Sequence, residues 1–543
     1  PRRIVGQHIS ARGILKVYSD AGGIMNDSVS APVGRLDRFL NAVERAGNKL
    51  PHITMLFIYA LVLIWVLSFL LSFISFDYRH PTTHEPIRVL NMLTGPELVK
   101  FLVSMVQNFM NFPPLGITIV ATLGIGVAEG SGFIHVLLKK LLIFIPGRAL
   151  TPAVIFVSIL CHIASDSAYV VLMPVSALMF YASGRHPLAG IACSFAGLAG
   201  GFTASFTPSI IDPIMQSFTQ GAARIIDPAY SVNVLCNYFY ALGGTLFVIA
   251  ACWYVTDRIV EPRLRVSMPL DSGLEQDPDL QLHAVSDREN RAFRLAGGVM
   301  LLMALGLAAL MIPADSLLRS PGGSLTSPDA PVMQAIVPLL FLFFAVPGVV
   351  YGVAAGTFDS TTSVIRSMEN IVRSLISFLV FAFFCSQFLY VFGRSNIGTL
   401  IAVSGAEFLK SLAMPSGLTL FGIILLTGLL NILITSATSK WAILAPIFVP
   451  MLMLLGLSPE LTQAAFRVSD SAVNVSTPLF PFYPLLIGYC QKYAKAAGVG
   501  TLCSMMIPYT IALLAVLTVV LYVYWGFNIP LGFDSGYVYT PAH

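Results

Sequence analysis

ASDSAYVVLMP, from Ala164 to Pro174, and SATSKWAILAP, from Ser436 to Pro446, are the two stretches on which the fold turns. At a constant offset of 272, Ser167 meets Ser439, Tyr169 meets Trp441, Leu172 meets Leu444 and Pro174 meets Pro446. Pro187 and Pro459 keep the same register, and Thr207-Pro208 answers Thr477-Pro478 at an offset of 270. Chance is the alternative, because Ser, Leu and Pro are common in apolar segments. Four matches in one short window, with register kept downstream, favour an internal repeat. Each stretch interrupts an apolar segment, 150–181 or 416–456, with small hydroxyl residues. We read both segments as re-entrant hairpins that dip into a membrane and return to their own side. Irregular backbone is tolerated at that depth only where protein or a watery cavity satisfies it.

Working outward, the composition fits a bilayer: 56% of the 543 residues are hydrophobic and only 11% are charged, far below the quarter or so typical of soluble domains. A crossing needs about 20 apolar residues. Candidate spans are 52–75, 187–208, 234–256, 295–312, 333–352, 374–392 and 502–526, with 114–131 and 460–480 interrupted by Gly, Pro or charge. The expectation is an all-α integral membrane protein of nine transmembrane helices plus two re-entrant hairpins in inverted repeats. Residues 1–50 form a basic, cytoplasmic N-terminal segment without a signal peptide, in which 35–49 has the pattern of a surface helix. Residues 51–256 form the first half, 257–294 a cytoplasmic linker and 295–543 the second half.

Basic residues agree with this count. The linker holds Arg258, Arg263, Arg265, Arg288, Arg291 and Arg294, the external loop 313–332 holds only Arg319, and nothing basic except His543 follows Lys495. By the positive-inside rule the N-terminus is cytoplasmic and the C-terminus external. In that topology the two hairpins open from opposite sides. Inverted repeats whose broken helices meet near the midplane are the architecture of secondary transporters.

Several polar residues then become candidates for transport. Ser165, Asp166 and Ser167 lie at the first tip, where small hydroxyls either permit close packing or line a site. A carboxylate such as Asp166 costs on the order of 3 kcal/mol at the membrane centre unless paired or hydrated. The second tip offers Thr435, Ser436, Thr438 and Ser439, then Lys440, which reads as a snorkelling side chain. Trp441 reads as an interfacial anchor or, with Tyr169, as a wall for an aromatic substrate. Beyond Pro459, residues Arg467, Asp470, Asn474 and Thr477 fall within about 80° of one another on a helix. Arg467 and Asp470 could neutralise each other; alternatively Arg467 receives an anionic substrate and Asp470 a coupling ion. Thr203, Ser205 and Thr207 before Pro208 suggest an unwound segment facing a cavity, with Asp212 either in the site or capping a surface turn.

Other function classes fare poorly. A net charge of +4, scattered, does not suggest nucleic acid. None of the nine lysines follows a glycine, so a Walker A loop is absent, as are HExxH and GxSxG motifs. The seven cysteines sit in apolar stretches without a CxxC pair, which argues against a metal site. The expectation is no enzyme, no cofactor and no certain metal. A carrier of small carboxylates and a channel-like conduit stay open as alternatives.

The sequence resembles the AbgT family of p-aminobenzoyl-glutamate transporters. The likeness rests on GRHPLAGIACSFAGLAGGF (184–202), IDPIMQ (211–216), AVPGVVYG (345–352), SNIG (395–398), SKWAILAPIFVPMLMLLG (439–456), AAFRVSDSAVNVSTPL (464–479) and AGVGTLCSMMIPY (497–509), and covers roughly residues 35–540. The resemblance implies a homodimer in the bacterial inner membrane that moves p-aminobenzoyl-glutamate or exports sulfonamide-type antimetabolites, driven by a cation gradient. It would place transport-linked positions at Asp212, Thr438, Trp441, Pro459, Arg467, Asp470 and Pro478, with Thr438 standing for a smaller Ser. Substrate binding is therefore expected at Trp441, Arg467, Thr438, Asn474, Tyr169, Ser167 and Ser439. Ion coupling is expected at Asp212, Asp470, His162 and Asp166, and helix breaks at Pro208, Pro459 and Pro478. One departure concerns the coupling ion, H+ or Na+. Relatives have a Ser-Asn-Thr run where this chain has Cys161-His162-Ile163, which removes hard oxygen ligands and introduces a group that titrates near neutral pH.

Overall fold

Proline and glycine punctuation divides the apolar sequence into helices of two lengths, and that division positions the site. The computed structural model describes residues 53–80, 84–143, 149–162, 166–271 and 285–540. The expected basic N-terminal segment and its surface helix lie outside the described residues, as does the 272–284 part of the expected linker. Helices are, in order, α1 (Ile53–Leu71), α2 (Gly95–Met110), α3 (Pro113–Gly130), α4 (Phe133–Ile143), α5 (Leu150–Cys161), α6 (Asp166–Ala182), α7 (Pro187–Gly200), α8 (Ile211–Ala223) and α9 (Tyr238–Ser267). The second set is α10 (Asp287–Met311), α11 (Ile336–Ala355), α12 (Thr361–Ser374), α13 (Ile376–Arg394), α14 (Ile397–Ser411), α15 (Ser416–Asn431), α16 (Ala437–Met453), α17 (Pro459–Val473), α18 (Tyr483–Gln491) and α19 (Val499–Gly526). The described residues contain no strand, only two isolated bridges.

Among the described residues, seven helical runs are long and apolar enough to cross a membrane: α1, the run Gly95–Gly130, α9, α10, α11, α13 and α19. Two expected crossings, 187–208 and 460–480, are not continuous. Helix α7 stops at Gly200 and α17 at Val473, which makes them about 21–23 Å long, short of the roughly 30 Å of hydrocarbon. The cause is local. Pro478 clashes with the carbonyl four residues earlier, at Asn474 just past α17, and Pro208 keeps the residue before it out of the α region, so the chain stays non-helical between α7 and α8. The expected span 234–256 differs in the other direction, running through a π-turn at Thr256–Val260 to Ser267. Arg185 fixes this extension, donating to Asp257 at 2.5 Å and pairing with Glu261. The candidate spans and hairpins do not include α2, α4, α8, α12, α14 or α18.

The repeat persists in the order of elements. Helices α7 and α17 open at Pro187 and Pro459, and α8 and α18 open at Ile211 and Tyr483, each pair 272 residues apart. Pro174 and Pro446 lie inside α6 and α16. Helix α7 packs against α5 and α6, while α17 packs against α15, α16 and α19. Every residue of α7 and of α17 is buried. Small residues allow this closeness. A Cβ on Gly190 would come within 2.5 Å of the Ser176 carbonyl oxygen, and one on Gly197 within 2.6 Å of the Ser158 Cβ.

Candidate functional site

Residues beside the α5–α6 and α15–α16 connections and at the α7–α8 and α17–α18 breaks line one cavity of about 260 Å3. His162 caps the end of α5 and Tyr169 lies on α6; the α7–α8 break brings Phe202 and Ile211. From the second repeat come Thr435 and Ser436 at the α15–α16 turn, and Asn474, Phe480 and Phe482 at the α17–α18 break. Tyr169 stacks on Phe482 with centroids 4.5 Å apart and planes 8° apart. Phe480 lies 5.5 Å from the same ring, and His162 meets Phe202 edge-on at 5.7 Å. The wall is therefore largely aromatic, with hydroxyl, amide and imidazole groups at its edges.

Two ion pairs lie behind this wall, both anchored on α17. Arg467 is 2% exposed. Its Nη1 donates to Asp212 Oδ1 at 2.7 Å and its Nη2 to the Phe202 carbonyl at 2.7 Å. Asp212 also accepts from the Ser209 amide at 2.8 Å, so it closes the opening turn of α8 while holding the guanidinium. The second pair joins Lys440 Nζ to Asp470 Oδ1, with side chains 1% and 0% exposed. Asn474 Nδ2 donates to Asp470 Oδ2 at 3.1 Å, and Asn431 Nδ2 to the Asp470 carbonyl at 3.2 Å. Two cations and two carboxylates out of water are costly unless paired and hydrogen-bonded. A fold that keeps them has a use for them.

The sequence pattern of the AbgT transporter family matches residues 38–539. The chain belongs to the AbgT transporter family. It is 35% identical over 491 residues to the p-aminobenzoyl-glutamate transport protein of Escherichia coli K12, covering 90% of this chain and 95% of that protein. Two solved structures share its fold at 38% identity. The YdaH transporter of Alcanivorax borkumensis, described as having an unusual topology, superposes with a TM-score of 0.83 over 89% of this chain and all of that one. MtrF of Neisseria gonorrhoeae, described as illuminating a class of antimetabolite efflux pumps, gives 0.84 over 92% of this chain and all of that one. This AbgT-family chain is thus a multi-pass membrane transporter and not an enzyme.

The expected residues divide by position. Tyr169, His162 and Asn474 line the cavity, and Asp212, Arg467 and Asp470 stand behind it. Trp441 does not line it. It is fully buried, its ring 4.4 Å from Phe466 and its Nε1 donating to Thr219 at 2.9 Å. Ser439 is buried beside Ser436, the N-cap of α16, and Thr438 is half-buried in the same turn. Asp166 and Ser167 open α6; their side chains lie outside the described residues, with Ser165. Pro208 and Pro478 fall in non-helical backbone, whereas Pro459 starts α17 behind its N-cap Ser458.

Two expectations from spacing are corrected. Arg467 and Asp470 do not pair with each other, because α17 aims them at different neighbours, Asp212 on α8 and Lys440 on α16. Lys440 does not snorkel, because an acceptor lies within reach of its stem at full burial. The unwound 203–208 segment is present, yet its carbonyls do not all face the cavity: those of Phe206 and Thr207 accept from the Tyr238 and Ser205 hydroxyls. Sequence reasoning passed over Asn431, Phe480 and Phe482. The aromatic run FPFYP (480–484) directly after Thr477-Pro478 was the available signal.

Proposed function

We propose that this chain is a cation-coupled secondary active transporter of p-aminobenzoyl-glutamate or related aromatic carboxylates and sulfonamide antimetabolites. The observation that carries the reading is the meeting of both turns and both breaks at one aromatic-walled cavity backed by two buried ion pairs. The stack of Tyr169 on Phe482 suits an aryl ring. Arg467 suits a carboxylate, since its Nε has no partner among the described residues. The names of the relatives support the same substrate class.

Coupling, to H+ or Na+, falls in this reading to His162, Asp166, Asp212 and Asp470. Asn431 Oδ1 and Asn474 Oδ1, near Asp470, also lack partners among the described residues, and such oxygens suit a hard cation. Lys440 already neutralises Asp470, which weighs against a sodium ion on that carboxylate while the pair is closed. The reading includes nine crossings with two oppositely opening hairpins, a homodimer in the bacterial inner membrane, a cytoplasmic N-terminus and a periplasmic C-terminus.

Proteoliposome flux tests it. Saturable, uphill movement of p-aminobenzoyl-glutamate or a sulfonamide under an imposed H+ or Na+ gradient is expected. Stronger competition by succinate or citrate would reassign the substrate to other small carboxylates, and unsaturable downhill current would replace the carrier with a conduit.

A further inference from the structure

Helix α17 carries a third carboxyl group that the pairs above leave unused. Glu460 sits in its first turn, 1% exposed, and forms no ion pair with any described lysine or arginine. The phenol of Tyr230 lies 3.2 and 3.1 Å from its two carboxyl oxygens. Residues 536–539 lie across this end of the helix. The Ser458 hydroxyl donates to the Gly536 carbonyl at 2.6 Å, its amide to the Tyr537 carbonyl at 3.0 Å, and Tyr539 N to the Gly456 carbonyl at 3.0 Å. Tyr539 packs its ring 5.7 Å from that of Tyr230 and donates to Asp227 at 3.3 Å. Arg224 donates to the Tyr230 carbonyl, and Cys236 lies alongside as an acceptor for Gln463.

Opposing influences act on this carboxyl. Burial without a cation favours the neutral acid. The helix N-terminus and the phenol donor favour the carboxylate. No described lysine or arginine pairs with this carboxyl, whereas Asp212 and Asp470 are each held against a cation.

We infer that Glu460 is a second proton-binding site of this transporter, separate from the cavity and closed over by the C-terminal residues 536–539. It lies ten residues, or about 15 Å along the axis, from Asp470 on the same helix. Side chains connect it to the hairpin. Asn237 Nδ2 donates to the Glu460 carbonyl at 3.0 Å, Gln463 to Asn237 at 2.9 Å, Thr219 to Gln463 at 2.6 Å and Trp441 to Thr219 at 2.9 Å. Uptake converts the carboxylate and a proton from water into the carboxylic acid. The resulting loss of charge at the start of α17 is felt along this ladder, with no proton passing through the amides.

The inference extends the carrier reading, and an infrared pH titration of the reconstituted full chain tests it without requiring flux. A protonated-carboxyl band that fades as pH rises through neutrality is expected, and E460Q should lack it. Y230F, which removes a donor to the charged form, should move the midpoint upward, and it serves if E460Q does not fold. Flux in E460Q should lose part of its pH dependence. A band unchanged in E460Q, a midpoint unmoved in Y230F, or a wild-type pH–flux profile in E460Q would each overturn the assignment. A titrating band without gradient-driven flux would instead sink the carrier reading and leave Glu460 standing.

Discussion

Lys440 and Asp470 make the sharpest claim at the scale of single residues. Removing one member of a fully buried pair strands the other, at about 3–5 kcal/mol. K440M should therefore lower thermal stability strongly in detergent, and K440M/D470N should recover most of it without restoring flux. Equal destabilisation in the double variant would show that the pair is not a closed unit. Arg467 is held differently, its two Nη atoms going to a carboxylate and a carbonyl. A lysine cannot reproduce that planar fork. R467K should cut uptake of a carboxylate substrate by about tenfold or more in kcat/KM, read as lost transition-state binding, and affect a substrate without a carboxylate less. Tyr169 supplies a ring face, a contact worth about 0.5–1.5 kcal/mol. Y169A should raise KM for an aryl substrate by roughly two- to tenfold, measured by concentration-dependent uptake.

Among elements, α7 shows why small residues recur in GRHPLAGIACSFAGLAGGF. The hairpin helices approach so closely that a methyl at Gly190 meets backbone rather than a movable side chain. G190A should cost about 1–3 kcal/mol in thermal unfolding. Gly306 on α10 has nothing within 4 Å of its missing Cβ, so G306A should stay within about 0.5 kcal/mol. Comparable losses in both would remove the packing explanation. The breaks after α7 and α17 follow the same local logic, because Thr-Pro at 207–208 and 477–478 keeps each break non-helical inside the protein.

At the scale of the whole molecule, residues from both halves of the chain line one cavity. Single cysteines at His162, Ser436 and Asn474 in a cysteine-free background should react with a small polar thiol reagent and all be protected by substrate. W441C should stay unreactive behind the wall. Protection of one repeat's residues alone would contradict a shared cavity. The polar face of α17 gives this arrangement its reach, running from Glu460 under the C-terminal residues through Arg467 and Asp470 to Asn474 at the cavity.

By itself the sequence determined that the chain is a membrane-embedded helical transporter built on a repeat. Composition, hydroxyl-broken segments and an offset of 272 are properties of the chain read in one dimension. It also marked His162, Tyr169, Asp212, Arg467, Asp470 and Asn474, because charge or amide within an apolar run stands out against its neighbours. Partners were another matter. Helical spacing puts Arg467 within reach of Asp470, but only packing decides that α8 and α16 offer Asp212 and Lys440 instead. Trp441 reads as a wall beside its hydroxyls until Phe466 and Thr219 are seen to enclose it. Which groups meet depends on contacts between different helices, 30 residues apart for Lys440 and Asp470 and 255 for Asp212 and Arg467, and a periodicity of 3.6 within one helix carries no information about those.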